Sequence, residues 1–238
     1  MFSVRTFTIG LALAGAALAG AAQAGVVVSS SGPSAAQFPA GKKLDDNSSI
    51  TLRDGDTVTV LTSGGTRVIK GAGVHRVAAT GESKRSTFAV LTRQRSAQRV
   101  RTGAVRGTGT PTAAERSPNL WYVDVSRSGA MCVASPDAVR LWRPGGDVPA
   151  TYTVGGTGDV PAVEMAFDKD TRDLPWDAMR LPLADGSTYS ISAPEGASTA
   201  EIRFVMLDAV PEEPEDLAAT LIDKGCTNQL ELLTAALS

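Results

Sequence analysis

The sequence predicts a mainly β protein: a small N-terminal β-sandwich or roll, a basic helix, a larger β-sandwich and a short helical tail. Three observations predict it. Apolar and polar residues alternate over short runs through most of the chain, which is the period of half-buried strands. Turn residues recur between those runs, in a chain with 24 Gly and 13 Pro, and so cut it into strand-sized pieces. The period becomes helical only in a basic stretch after residue 83 and again after residue 211.

Residues 1–24 have the layout of a secretory signal. Arg5 is the positive start, "IGLALAGAALAGAA" the apolar stretch, and Ala22-Gln23-Ala24 the small-x-small cleavage site. The expected mature chain begins at Gly25. The alternative is an uncleaved anchor, but the apolar run is short for a membrane span. Export to the periplasm is the expectation. It bears on Cys132 and Cys226, the only two cysteines. In an oxidising compartment they are expected to pair, two free thiols being the other possibility.

Residues 25–82 read as the first β domain. "GVVVSS" is a β-branched run. In "SSITLRDGDTVTVLT", Ile50, Leu52, Val58 and Val60 share one parity, and Thr51, Thr57 and Thr59 the other. Asp54-Gly55 between the two runs suits a tight hairpin. Ser63-Gly64-Gly65 suits another before "TRVIKG", which Gly71 and Gly73 close.

The stretch "PAGKKLDDNSSITLRDGDTVTVLTSGGTRVIKGAG" resembles the periplasmic domain of FecR-like proteins. The matching pieces are Gly41, Leu44, Ile50, Leu52, Gly55-Asp56, Val58, Val60 and Gly65. The resemblance runs over residues 26–77 and implies a β-rich exported module associated with sensing and protein contact. It does not extend to the family's signalling parts, for the sequence shows no cytoplasmic segment and no membrane span ahead of the module.

Residues 83–118 are read as a basic helix and linker. Lys84, Arg85, Arg93, Arg95, Arg99, Arg101 and Arg106 follow one another with no acid after Glu82. Phe88 and Leu91 share one side of a helix, as do Ala97 and Val100, so one face can dock on a β domain. Arg93, Arg95, Arg99, Arg101 and Arg106 form the candidate contact surface. A solvated helix is the plain reading. An envelope protein, a membrane surface (weakly) or this chain's own acidic half are the candidate partners. Nucleic acid is set aside, because no aromatics interleave the arginines and the compartment is wrong. The charge split supports an intramolecular contact: residues 25–106 hold 13 Lys+Arg against 5 Asp+Glu, and residues 107–238 hold 9 against 20.

Residues 119–210 read as a β-sandwich. Its strand signals pair Trp121, Val123 and Val125, then Val139 with Leu141, and Tyr152 with Val154. Val163, Met165 and Phe167 follow, then Tyr189 with Ile191, and Ile202, Phe204 and Met206. "LPLADGSTYSIS" resembles the L-x-x-G-x-x-Y strand entry of fibronectin-III-like modules, which implies an immunoglobulin- or fibronectin-like sandwich and says nothing of a ligand. Residues 211–238 are the helical tail. "PEDLAATLIDKGC" has Leu217, Leu221 and Ile222 on one face and Gly225 as its stop. Leu230, Leu233 and Leu237 mark a second helix, with Asn228 and Glu231 spaced for a capping box.

No catalytic set emerges. His75 is the only histidine; a triad needs a histidine beside its serine, and zinc sites need several N or S ligands. No nucleophile elbow or phosphate loop occurs, and "SAAQFPAGKKL" misses the latter at Ala36 and Lys43. In "FDKDTRDLPWD", Asp168, Asp170, Asp173 and Asp177 begin like a calcium loop, but Arg172, Asp173 and Met179 occupy its fifth, sixth and twelfth positions. The expectation is a non-enzymatic protein without cofactor or metal, acting through contact with an envelope protein. The alternative is a small-molecule or glycan-binding, or weakly hydrolytic, protein with a site between its halves.

Overall fold

The computed structural model describes residues 23–45, 48–77, 84–94, 115–156 and 160–238. The expected signal segment lies outside them except for Gln23 and Ala24, which open the first strand.

Strands β1 (Gln23–Ser31), β2 (Lys43–Asp45), β3 (Ser49–Leu52), β4 (Thr57–Thr62), β5 (Gly65–Lys70) and β6 (Gly73–Arg76) form the first sandwich. One sheet has the order β2-β1-β4-β5; the other is the pair β3-β6. Val27, Val58, Val60 and Ile69 from the first sheet and Ile50 and Leu52 from the second close one core. The Ser63-Gly64 hairpin joins β4 to β5, with Thr62 opposite Gly65. The Asp54-Gly55 turn is not a hairpin: β3 pairs with β6, and β4 with β1 and β5. The shared parity of Ile50, Leu52, Val58 and Val60 therefore reflects two facing sheets and not two neighbouring strands. Asp56 holds that corner. Its buried carboxylate accepts the N–H of Ser34 (2.8 Å) and of Arg53 (2.6 Å).

Helix α1 (Arg85–Leu91) follows. The second sandwich contains β7 (Tyr122–Asp124), β8 (Gly129–Val133), β9 (Arg140–Trp142), β10 (Ala150–Gly156), β11 (Val163–Phe167), β12 (Asp173–Pro175), β13 (Thr188–Ser192) and β14 (Thr199–Met206). Its sheets have the orders β11-β10-β13-β14-β8 and β12-β9-β7. All pairs are antiparallel except β14 with β8 and β7 with β9. Inward residues of both sheets, among them Leu141, Val154, Phe167, Ile191 and Phe204, fill the space between them. Trp176 meets Tyr189 and Phe204 edge-on, each at 5.2 Å between ring centres. The "LADGSTY" stretch forms a tyrosine corner: the Tyr189 hydroxyl donates to the Pro182 carbonyl at 2.5 Å. The stretch with the calcium-loop-like start is partly strand, because Asp173 opens β12 and pairs with Arg140.

The tail is α2 (Pro214–Asp223) and α3 (Thr227–Ala236). Pro214 suits the first turn, where its missing N–H has no partner to lose, and Gly225 ends the helix at φ +73°. Cys226, between the two helices, is disulfide-bonded to Cys132 on β8, with Cα atoms 5.9 Å apart. The capping box is absent. The helix begins one residue ahead of Asn228, whose side chain donates to Ser128 O while Glu231 pairs with Arg127.

These helices make the junction between the sandwiches. Val26 and Leu61 on the outer face of the first sheet, and Phe88 and Leu91 of α1, join Leu120, Trp121, Val205, Leu217, Leu221, Leu233 and Leu237 in one apolar cluster. Two ion pairs rim it, Lys43 with Asp216 (3.2 Å) and Arg85 with Glu213 (3.1 Å). Charge complementarity between the halves is thus present at the rim, and apolar burial fills the centre.

Candidate functional site

The apolar junction does not cover the whole outer face of the first sheet. Beyond Leu61, that face continues as Val28, Thr59, Thr66 and Val68, and it forms one wall of a groove of about 690 Å³. Its other walls are α3 and the stretches 120–124 and 127–131 of the second sandwich. The sequence sets this up through alternation. In β4, Val58 and Val60 face the core of the first sandwich, so Thr59 and Leu61 face the junction and the groove.

Helix α3 is positioned by side-chain bonds to both sandwiches. Gln229 is buried and fully bonded. Its Oε1 accepts the N–H of Cys132 (2.7 Å), and its Nε2 donates to the carbonyls of Cys132 and Leu120 (2.9 Å each). The amide thus takes the place of a neighbouring strand at the outer edge of β8, beside the disulfide. At the other end of α3, the Leu237 carbonyl accepts the N–H of Thr66 (2.8 Å), and the Thr234 carbonyl accepts its hydroxyl (2.7 Å). One helix therefore bridges the edges of two sheets.

The groove holds four charged side chains. Asp124 is occupied locally: its Oδ1 accepts from the N–H and hydroxyl of Ser126 (2.9 and 2.6 Å). Glu231 pairs with Arg127. Arg116 lines the groove and has no carboxylate partner among the described residues. Both carboxylates are thus engaged by neighbouring donors. Among the described residues no three His, Cys, Asp or Glu side chains gather as a metal would require.

Titration behaviour is perturbed elsewhere. Burial alone would raise Asp56, but the N–H groups of Ser34 and Arg53 outweigh it and hold its carboxyl below the usual range. Glu115 is lowered by the N–H of Gly145 and, after a counteracting burial, by Arg172. Glu215, in the first turn of α2, is pushed up by burial; its Oε2 has no partner, and Glu213 and Asp216 add to the effect. Burial likewise raises Tyr189.

The residues singled out from sequence are scattered. Cys132 and Cys226 are joined. Arg93 ends exposed beyond α1, where its carbonyl accepts from Asn119 Nδ2 (3.0 Å). Arg95, Arg99, Arg101 and Arg106 lie outside the described residues. His75 sits on β6 with its Nε2 3.0 Å from Gly71 O. Asp168, Asp170, Asp173 and Asp177 do not converge: Asp173 is paired with Arg140 and Asp177 with Arg180. Sequence reasoning missed Gln229, Arg116 and the groove face of β4 and β5. The only signal was the second parity of "TVTVLT", which carries Thr59 and Leu61. Among the described residues, no helix is long and apolar enough to cross a membrane. Compared with protein-family models, curated proteins and solved structures, the chain matches none.

Proposed function

We propose that this is an exported, non-enzymatic protein of the cell envelope that works by contact with another protein, and that the groove between its two sandwiches receives the partner. The signal-like start, the disulfide and the FecR-like resemblance of residues 26–77 all favour a periplasmic contact or sensing role. The observation that carries the reading is the groove itself. It has an apolar wall, an Arg116 without a partner, and carboxylates already engaged by Ser126 and Arg127. Such a surface binds and does not supply an acid–base pair.

A second reading has one observation in its favour. The groove volume is within the range of small-molecule sites, so a small ligand or glycan fits by size. Among the described residues Tyr122 is the one aromatic side chain lining it, a thin platform for sugar rings. Photo-crosslinking in living cells separates the two. A crosslinking residue at Leu232, in the groove, should trap a discrete protein. The same residue at Met179, 97% exposed on the second sandwich, should not. Equal labelling at both positions, or none at Leu232, counts against a protein partner there.

A further inference from the structure

The first sheet ends at β5, which bonds to β4 on one side only. Backbone groups along an antiparallel strand alternate between facing the neighbour and facing away. The Thr66 N–H points away from β4, since it reaches Leu237 O. By alternation, the N–H and C=O of Val68 and Lys70 point away too. Neither residue finds a partner for them among the described residues. Among the described residues, the end of α3 thus caps the first position of this edge and leaves the next two open. Val68 is 52% exposed and its side chain lines the groove.

We infer that this open edge takes an extended acidic segment of a partner protein as an added strand, with alternate side chains in the groove. The inference rests on the contact reading above and names the kind of partner. The edge carries cations: Lys70 stands beside Val68 on the groove face, and Arg67 on the opposite face reaches Arg76 O at 2.7 Å. Residues 57–77 contain no Asp or Glu. A second copy of this chain would bring the same cations against them, so an acidic segment is the fitting occupant. Residues of the added strand that bond to Val68 would share its face. Their side chains therefore meet Val28, Thr59 and Val68, and those between them meet Arg67.

A fluorescein-labelled peptide of alternating valine and glutamate is the probe, read by fluorescence anisotropy on the whole protein. Saturable binding is expected, weaker as salt rises. Methylating the valine nitrogens should weaken it about tenfold or more, because those N–H groups face Val68; methylating the glutamate nitrogens should leave it unchanged. Val68→Pro removes an N–H that the β4–β5 ladder does not use and should weaken binding similarly. Should that variant not fold, Lys70→Glu keeps the backbone intact and should weaken binding at low salt. No saturable binding up to about 1 mM, equal effects of both methylations, or indifference to both substitutions would overturn the inference. So would a dimer in sedimentation that Val68→Pro dissociates, which gives the edge to a second copy. If Leu232 still traps a protein in cells while the peptide fails, the contact reading stands and strand addition falls.

Discussion

The junction between the sandwiches is held by burial, and its salt response follows from that. Leu221 is fully buried in the shared cluster, against residues from α2, α3 and the first sheet. Truncating such a leucine to alanine costs about 2–5 kcal/mol, the transfer of its methyl groups plus the cavity left behind. The rim pairs Lys43–Asp216 and Arg85–Glu213 keep 40–67% of their side chains exposed. Each is worth about 0–1 kcal/mol and is screened by salt. Urea unfolding followed by circular dichroism, at about 0.05 and about 1 M NaCl, compares the two contributions. With a urea slope of about 2 kcal/mol/M, Leu221→Ala should lower the midpoint by about 1–2.5 M at either salt. The double substitution Lys43→Gln, Arg85→Gln should lower it by under about 1 M at low salt and hardly at all at high salt. A larger loss from the charge variant at low salt, vanishing at high salt, would refute the apolar account and restore the electrostatic junction that the charge split suggested.

Other consequences can be measured with the same assay. Replacing Cys132 and Cys226 by alanine opens a link between residues 94 positions apart, and should cost about 4–5 kcal/mol in the chain-entropy description; a loss under about 1 kcal/mol would mean the denatured chain is constrained by other means. Gln229→Leu strips three hydrogen bonds from buried backbone and should cost about 3 kcal/mol or more, and an unchanged midpoint would show that α3 is not held through that amide. Tyr189→Phe removes the hydroxyl bond to Pro182 alone and should cost about 1 kcal/mol.

Much of the fold was legible because its signals are local. The β4–β5 hairpin, the strands with Phe167 and Ile191, and the Gly225 stop each follow from a period or a turn residue within a few positions. Partnership was less legible. Alternation says that Ile50 and Val58 point to a core, but not whether β3 and β4 are neighbours or facing sheets. Asp56 was visible as part of a turn motif, but its role depends on Ser34, 22 positions away. Asn228 and Glu231 had capping-box spacing, yet Ser128 and Arg127 claimed them. The groove was the least legible part, because it is made of what the junction leaves uncovered. Of the charge split, the described residues show two exposed ion pairs at the rim of a junction whose centre is filled by leucines that look like any helix face, and Arg95, Arg99, Arg101 and Arg106 lie outside them.

Two buried carboxyls should give the fold opposite responses to pH, and the signs follow from their surroundings. Asp56 is held below its ordinary value by backbone N–H groups. Its contribution is present above the unfolded carboxylate range, near pH 4, and is lost as pH falls through the lower folded value. Glu215 is raised by burial. The native state therefore keeps that proton to higher pH than the unfolded chain, so its contribution is complete in acid and declines as pH rises through the folded value. Above the unfolded carboxylate range the raised Glu215 is therefore a net cost at the start of α2, with Oε2 unpartnered. Glu215→Gln should then stabilise the protein at pH 7 and gain less, or nothing, at pH 4. Asp56→Asn should do the reverse: it destabilises at pH 7, with the deficit shrinking in acid. Midpoints measured for both variants from pH 3 to 8 should cross in that sense. If Glu215→Gln instead destabilises at pH 7, the carboxylate is serving the α2 N-terminus as an anion, and its burial is outweighed by the helix dipole.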